Sequence, residues 1–439
     1  MTDSATYRDP NVTPPLPEAI PLGFQHVLAM FASNVTPSII VAGAAGLAFG
    51  SGEQIYLIQM AMLFAGIATL FQTIGFGPIG ARLPIMQGTS FAFVGVLAGI
   101  AATQGLGVAL TSCIIGGALH FALGSVIGRI RWLFPPLVTG LVILAIGLYL
   151  IPVAIKYAAG GAATFQMEAE SFGSMQHWSV ALTVVVVALG FKFFSKGIMS
   201  NAAILIGLIA GYLLAMALGM VNFGAVGKAS WITSIQVMPY GFQFSLGAVI
   251  AVTLVSIVSA IETVGDASAT TKAGANREAT DEEIQGATYA DGLGTAVAGV
   301  FGGLPNTSFS QNVGIVGMTG IMSRHVVTIA GLVLIVCGLL PKIGAVIASM
   351  PLPVLGGGVI VMFGMVAAAG LNVLSEAEMN RRNMVIIAIS LAVGLGLNLV
   401  PSAVQYLPGV VKTLMTSAVA PTALCAIVLN LALPEEGEA

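Results

Sequence analysis

The sequence predicts an all-α polytopic membrane protein of about fourteen transmembrane spans. Three observations lead there. Of 439 residues, 57% are hydrophobic and only 8% are charged, whereas a water-soluble domain carries roughly a quarter. Mean hydropathy is +0.99, and apolar runs of about 20 residues, enough to cross a bilayer as helix, fill nearly the whole chain. Lys and Arg also divide unevenly between alternate connections, as orientation in a membrane requires.

The elements follow in order. Residues 1–20 contain Pro10, Pro14, Pro15 and Pro17 and no apolar stretch, so they read as a disordered cytoplasmic tail and not a signal peptide. Four spans begin near Leu22, Ile55, Gly80 and Leu106, and three more near Phe134, His177 and Ala202. A second group begins near Ser245, Gly286, Pro305 and His325, and a last group near Ile343, Asn383 and Val404. Residues 434–439 form a short cytoplasmic C-terminal tail. With the N-terminus inside, Arg8, Arg82, Arg129, Arg131, Lys192, Lys196, Lys272, Arg277, Arg324, Arg381 and Arg382 are cytoplasmic. Only Lys156, Lys228, Lys342 and Lys412 fall elsewhere, a split of 11 against 4. An even number of spans places both termini in the cytoplasm.

Two halves echo each other. Leu83-Pro84, Thr89-Ser90-Phe91 and Val94-Gly95 reappear as Leu304-Pro305, Thr307-Ser308-Phe309 and Val313-Gly314, displaced by 221, 218 and 219 residues. Each copy is polar and β-compatible where a membrane helix should hold Leu and Ala. Paired interruptions at half-length mark an inverted-repeat transporter and its substrate site. The 55 glycines, Gly116-Gly117 and Gly356-Gly357-Gly358 among them, suit close helix packing. Cys113, Cys337 and Cys425 lie within spans as packing residues, without metal or disulfide spacing. Gly292-Leu293-Gly294 follows no soluble strand, and Gly227-Lys228-Ala229-Ser230 lacks phosphate-loop spacing. Asn34 and Asn306 match a glycosylation pattern at membrane depth, which is coincidence. No ATPase module, metal cluster or nucleophile constellation is present, so the chain is not read as an enzyme.

Ionisable residues at membrane depth are expensive and functional by default. Glu262 and Asp266 stand four apart on one face of the eighth span, below Ser256 and Ser259. The plainer reading, two carboxylates wetted at a cytoplasmic helix end, suits Asp266 better than Glu262. Asp291 heads the ninth span, where helix capping competes with a role in the site. His26, in Gln25-His26, is either a core hydrogen-bonder or a site residue. His120, His177 and His325 carry no functional weight. From Asn306 to Asn312 the tenth span holds six polar side chains in seven residues, tolerable at this depth only where it lines a cavity. Its amides, a carboxylate such as Glu262 and an aromatic such as Phe91 suit a flat, neutral heterocycle.

Four ordered motifs carry a family likeness: Gln25-His26, Gly88-Thr89-Ser90-Phe91, Glu262-Thr263-Val264-Gly265-Asp266, and Gln311-Asn312-Val313-Gly314 followed by Thr319-Gly320. On these the chain resembles the nucleobase–ascorbate transporters, or second nucleobase:cation symporter family, over essentially its full length. The resemblance implies fourteen spans in two inverted repeats of seven, with short antiparallel strands in spans 3 and 10. Residues 21–128 (spans 1 to 4) and 245–342 (spans 8 to 11) would form a moving core. Residues 129–244 (spans 5 to 7) and 343–433 (spans 12 to 14) would form a gate through which the protein dimerises. It further implies elevator-type symport of a purine, xanthine or uric acid, into the cell across the inner membrane. A proton is the expected co-transported ion, sodium the alternative; no other cofactor, metal or nucleic acid is implied, and lipids are the remaining partners.

By motif position, Glu262 and Gln311 would bind the purine edge, with backbone amides from Phe91 and Ser310 and the Phe91 ring stacking. Asp266, Asp291, Asn312 and His26 would support the site and its coupling. Gln311 matches purine-type members, where uracil-type members tend to carry Glu and animal ascorbate carriers Pro; Asp266 replaces the His of uracil-type members. Small Ser90 beside Phe91 leaves room for the C8 oxygen of uric acid. Uracil or another nucleobase is the alternative substrate. An anion exchanger of similar architecture is a rival, though it should present a positive site. A channel fits less well, because the polar residues cluster at one depth.

Overall fold

The computed structural model describes residues 8–161 and 170–434, and is mostly helical. The helices that matter for the site are α1 (Leu16–Ala44), α2 (Gly52–Thr73), α3 (Val94–Gln104), α4 (Leu106–Leu123), α5 (Pro136–Ala158), α6 (Met175–Phe194) and α7 (Ala203–Ala217). They continue as α8 (Leu246–Ala275), α9 (Asp281–Val300), α10 (Ser310–Thr319), α11 (Arg324–Leu339), α12 (Leu352–Leu374), α13 (Arg381–Leu399) and α14 (Val419–Ala432). Among the described residues eight helices are long and apolar enough to cross a membrane, or nine counting α11 with the helix Pro341–Ala348, bent from it by 78°. Two short strands, β1 (Gln87–Thr89) and β2 (Asn306–Ser308), precede α3 and α10.

Local chemistry explains the ends. Ser51 caps α2 by accepting from Gln54 N, while the Gln54 side chain accepts from Gly50 N. Thr280 and Glu283 form a reciprocal capping box at the start of α9, satisfying donors that a helix leaves free. Asp281, Glu282 and Glu283 fill its first turn, where the helix dipole favours acids. Arg277 grips Glu283 through both guanidinium nitrogens at 2.8 and 2.5 Å, closing the turn from α8.

Several boundaries correct the sequence expectations. The tail of residues 1–20 is not wholly disordered: α1 starts at Leu16, and Pro10 O and Val12 O accept from Arg324 N and Ser323 Oγ. Pro17 sits in the first turn, where the missing N–H would have had no partner anyway. Residues 1–7 and 435–439 of the two expected tails lie outside the described residues. The twelfth apolar run, expected from Ile343, divides at Pro351 into a short helix and α12. The fourteenth begins at Val419 and not near Val404, because Pro401–Val404 and Gly409–Met415 are separate short helices and Ala418 adopts φ 62°.

The helices pack in two sets. In one, α4 lies on α9 and α8, α2 on α11, and α1 on α2, α3 and α11. In the other, α12 lies on α5, α6 and α7, while α13 and α14 pack on each other and on α5. The sets meet where α1 touches α7 and α12, and where α8 touches α5 and α14. Glycines permit the approach: a Cβ on Gly117 would come within 2.5 Å of Ala296 N, and one on Gly356 would collide with Ala158 N.

Strands β1 and β2 are antiparallel, pairing Gln87 with Ser308, Gly88 with Thr307 and Thr89 with Asn306. The ladder continues through Ser90 N to Pro305 O and Phe309 N to Met86 O, at 2.9 and 3.0 Å. This pair crosses the interior of the first set and delivers Phe91 and Ser310 to one cavity.

Candidate binding site

The cavity, about 210 Å³, is walled on one side by Thr89, Phe91, Glu262, Thr307, Ser308, Phe309, Ser310 and Gln311. The facing wall, Ile143, Ile146, Met365, Val366 and Ala369, comes from α5 and α12 and is apolar. The site therefore lies where the two helix sets meet. Helix α10 begins at Ser310 and α3 three residues after Phe91, so two helix N-termini border it, with first-turn N–H groups that lack intrahelical partners.

Glu262 supplies the free acceptor. Its Oε2 is buried and has no hydrogen-bond partner among the described residues. Every other carboxylate near the cavity is occupied. Asp266 accepts from Ser308 Oγ at 2.6 Å and Ser310 Oγ at 2.8 Å, tying α8 to β2 and α10. Asp291 accepts from Gln87 Nε2 at 2.6 Å, Gln72 Nε2 at 3.0 Å and Thr263 Oγ1, joining α9 to β1, α2 and α8. The polar stripe above Glu262 also reaches the strands, since Ser259 Oγ donates to Thr307 Oγ1 at 3.2 Å.

Two sequence alternatives are overturned here. Asp266 is not at a wetted helix end, because α8 continues to Ala275 and ends in a left-handed Asn276. Asp291 does not cap its helix; the Thr280 capping box starts α9 ten residues earlier, through a polar stretch that hydropathy had assigned to the loop.

The remaining candidates fall into place around these groups. Asn312 Nδ2 reaches His26 Nδ1 at 3.1 Å and His26 O at 3.0 Å, so His26 is buried and braces α10 against α1. Ser90 is buried next to the cavity but does not line it; its Oγ accepts from Ala92 N at 3.3 Å. His177 meets Ala159 O at 2.9 Å, remote from the site. His120 is buried in α4 with neither ring nitrogen partnered among the described residues.

Sequence reasoning missed several supports. Asn34, set aside as a chance glycosylation match, accepts from Thr89 N at 2.8 Å and donates to Ala61 O at 3.2 Å, pinning β1 to α1 and α2. Gln72 and Gln87 were unmarked, as were Thr69 and Thr295, whose hydroxyls accept from Gln87 N and Asn306 N. The signal was available: uncharged amides and hydroxyls at bilayer depth need partners as carboxylates do.

A second cavity of about 420 Å³ shares Ile143, Glu262, Ser310 and Ala369 with the first and runs to Lys272, Asn372 and Glu376. Lys272 is well exposed and pairs with Glu278 at 3.1 Å, so the site opens toward the turn between α8 and α9.

Comparison with known proteins accords with this geometry. The chain is 37% identical over 417 residues to the uric acid transporter UacT of Escherichia coli strain K12, covering 93% of this chain and 85% of that one. To the uric acid permease PucK of Bacillus subtilis strain 168 it is 36% identical over 411 residues, with 93% and 94% covered. To the xanthine permease XanQ of E. coli K12 it is 34% identical over 434 residues, with 96% and 92% covered. Among solved structures, the transmembrane domain of a cyanobacterium bicarbonate transporter, BicA, superposes with a TM-score of 0.60 at 14% identity, covering 96% and 99%. The murine anion transporter Slc26a9 in its inward-facing state gives 0.60 at 12% identity, covering 96% and 69%; both likenesses concern the fold alone. The family model Xan_ur_permease, described as a permease family, matches residues 17–403, and the chain belongs to that family of multi-pass membrane transporters.

Proposed function

We propose that this chain is a secondary active transporter that carries an oxidised purine, xanthine or uric acid, into the cell together with a proton. The observation that carries the reading is Glu262: a buried carboxylate oxygen without a partner, on a cavity that also holds the Gln311 amide and the Phe91 ring. A purine with ring N–H donors would pair with that carboxylate, while Gln311 offers one donor and one acceptor to the adjoining edge. The relatives named for uric acid and xanthine support the same class. The anion-carrying structures share only the fold, and an unneutralised carboxylate in the cavity argues against an anion without such donors.

The mechanism we propose is an elevator. Helices α1–α4 and α8–α11, with both strands, form the core that carries the site; α5–α7 and α12–α14 form the gate, through which two copies pair. The fourteen spans are two inverted repeats of seven, a reading supported by the antiparallel pairing of strands that lie half a chain apart. Both termini are cytoplasmic in the inner membrane, so the cavity path to Lys272 describes an inward-open state. The smooth apolar wall of α5 and α12 suits sliding, because it makes no directional bond to the substrate.

Glu262→Gln tests the reading. The change keeps size but replaces one acceptor oxygen with an N–H₂ donor that faces the substrate's own donor, removing a charge-assisted hydrogen bond of about 1.5–3 kcal/mol. Thermal stabilisation of purified protein by xanthine or uric acid should disappear with uptake, while Glu262→Asp retains part of both. A Gln variant stabilised as well as the parent would overturn the assignment.

A further inference from the structure

A third cavity lies on the other side of α3. It measures about 580 Å³ and is lined by Gly95, Gly99 and Thr103 of α3, by Ser245 before α8, and by Lys412 and Thr416 near the short helix Gly409–Met415. It lies at the end of α8 opposite Lys272. What separates it from the central cavity is narrow: the chain passes from Phe91, on the central wall just before α3, to Gly95, in the first turn of α3 and on the wall of this vestibule, within four residues.

One side chain from the other helix set fills that separation. Tyr149 of α5 is buried, and its hydroxyl accepts from Gly95 N at 2.9 Å and donates to Phe91 O at 3.3 Å. Its ring lies against Gly95 so closely that a Cβ there would come within 3.0 Å of Cε2. Helix α3 otherwise packs on α1, α4, α8 and the Gly409–Met415 helix. Tyr149 thus bonds the backbone on both sides of the partition, to a residue of each cavity.

We propose that Tyr149 is the barrier that shuts the central cavity from the Lys412-side vestibule, and a positioning residue for Phe91. The reading rests on the two-set movement described above in one respect: when the sets shift, both Tyr149 hydrogen bonds must break, and the vestibule joins the cavity. The vestibule is then the outer access path. Its hydroxyls and the Lys412 ammonium suit a polar, weakly acidic heterocycle on its way in. Tyr149 is a positioning residue, acting through Phe91 and Gly95.

Sided thiol labelling tests this without any substrate, so its outcome stands apart from the purine assignment. With Cys113, Cys337 and Cys425 replaced by Ala, Ile143→Cys places a thiol on the cavity wall. An impermeant methanethiosulfonate should label it readily from the Lys272 side and slowly from the Lys412 side. Adding Tyr149→Phe, which keeps the ring and removes the hydroxyl, should raise the Lys412-side rate about tenfold or more, the population shift that losing both hydroxyl hydrogen bonds produces. Gly95→Ala should act in the same direction by wedging the ring, and its Lys272-side rate reports that the protein has inserted. If both variants label from the Lys412 side at the parent rate, or if only the Lys272-side rate rises, Tyr149 is not the barrier. Loss of purine uptake with unchanged sidedness would likewise count against it.

Discussion

Around Asp291 three donors from three different elements converge on one carboxylate: Gln72 Nε2 and Gln87 Nε2 at 3.0 and 2.6 Å, and Thr263 Oγ1. None of these can turn to water, since Gln72, Gln87, Thr263 and Asp291 are all buried. Asp291→Asn replaces an acceptor oxygen with an N–H₂ group that faces at least one donor, leaving a buried polar group unpaired. A loss of about 1.5–3 kcal/mol in stability follows from one charge-assisted bond. The midpoint of thermal unfolding of the purified variant should fall, and uptake with it, even though Asp291 does not line the cavity. Glu262→Gln should behave in the opposite manner, losing ligand and keeping stability. A pair of variants with equal melting points would show that Asp291 is not structural. The distinction was only partly legible in the sequence. All three carboxylates stood out as charges in apolar spans, but which one was free depended on Gln72, Gln87, Ser308 and Ser310, whose partners lie up to 219 residues away.

At the scale of elements, the strand pair is what makes a site out of two broken spans. Polar, β-compatible residues at Thr89-Ser90-Phe91 and Thr307-Ser308-Phe309 announced the interruptions, because no lipid-facing helix carries them. Capping chemistry, by contrast, was under-read: the start of α9 at Asp281 and the separation of α14 from the Gly409–Met415 helix depend on local bonds and a positive φ that hydropathy does not register. Gly88 shows how tightly the pair is held. A Cβ there would lie 2.5 Å from both Met30 Cε and Phe309 Cε2. Met30 can swing aside, but Phe309 is part of the cavity wall and is anchored by its own backbone bond to Met86 O. Gly88→Ala should therefore displace the Phe309 ring at an overpacking cost of about 1–3 kcal/mol. Substrate-induced thermal stabilisation should shrink more than the melting point of the free protein; an equal fall in both would mean that the strand pair is scaffold only.

For the whole molecule, the proposed movement and the charge of the site are linked. A core that carries Glu262, Asp266 and Asp291 across the middle of a bilayer moves carboxylates through a medium in which an isolated charge costs several kcal/mol. Asp266 and Asp291 travel with their donors, but Glu262 Oε2 has no partner among the described residues. The substrate's N–H groups share that charge without cancelling it. A bound cation cancels it, so the loaded core becomes easier to move than the half-loaded one, which is the condition for symport. We propose a proton as that cation; the Asp266 and Asp291 oxygens are already engaged by hydroxyl and amide donors. In membrane vesicles loaded at neutral pH, an imposed inward proton gradient should therefore drive labelled xanthine or uric acid above its equilibrium level without sodium. A protonophore should collapse the accumulation while exchange of labelled for unlabelled purine continues, since exchange needs the elevator but no net ion movement. Accumulation that persists with the protonophore and follows a sodium gradient would overturn proton coupling and leave the cavity, the strand pair and the carrier reading intact.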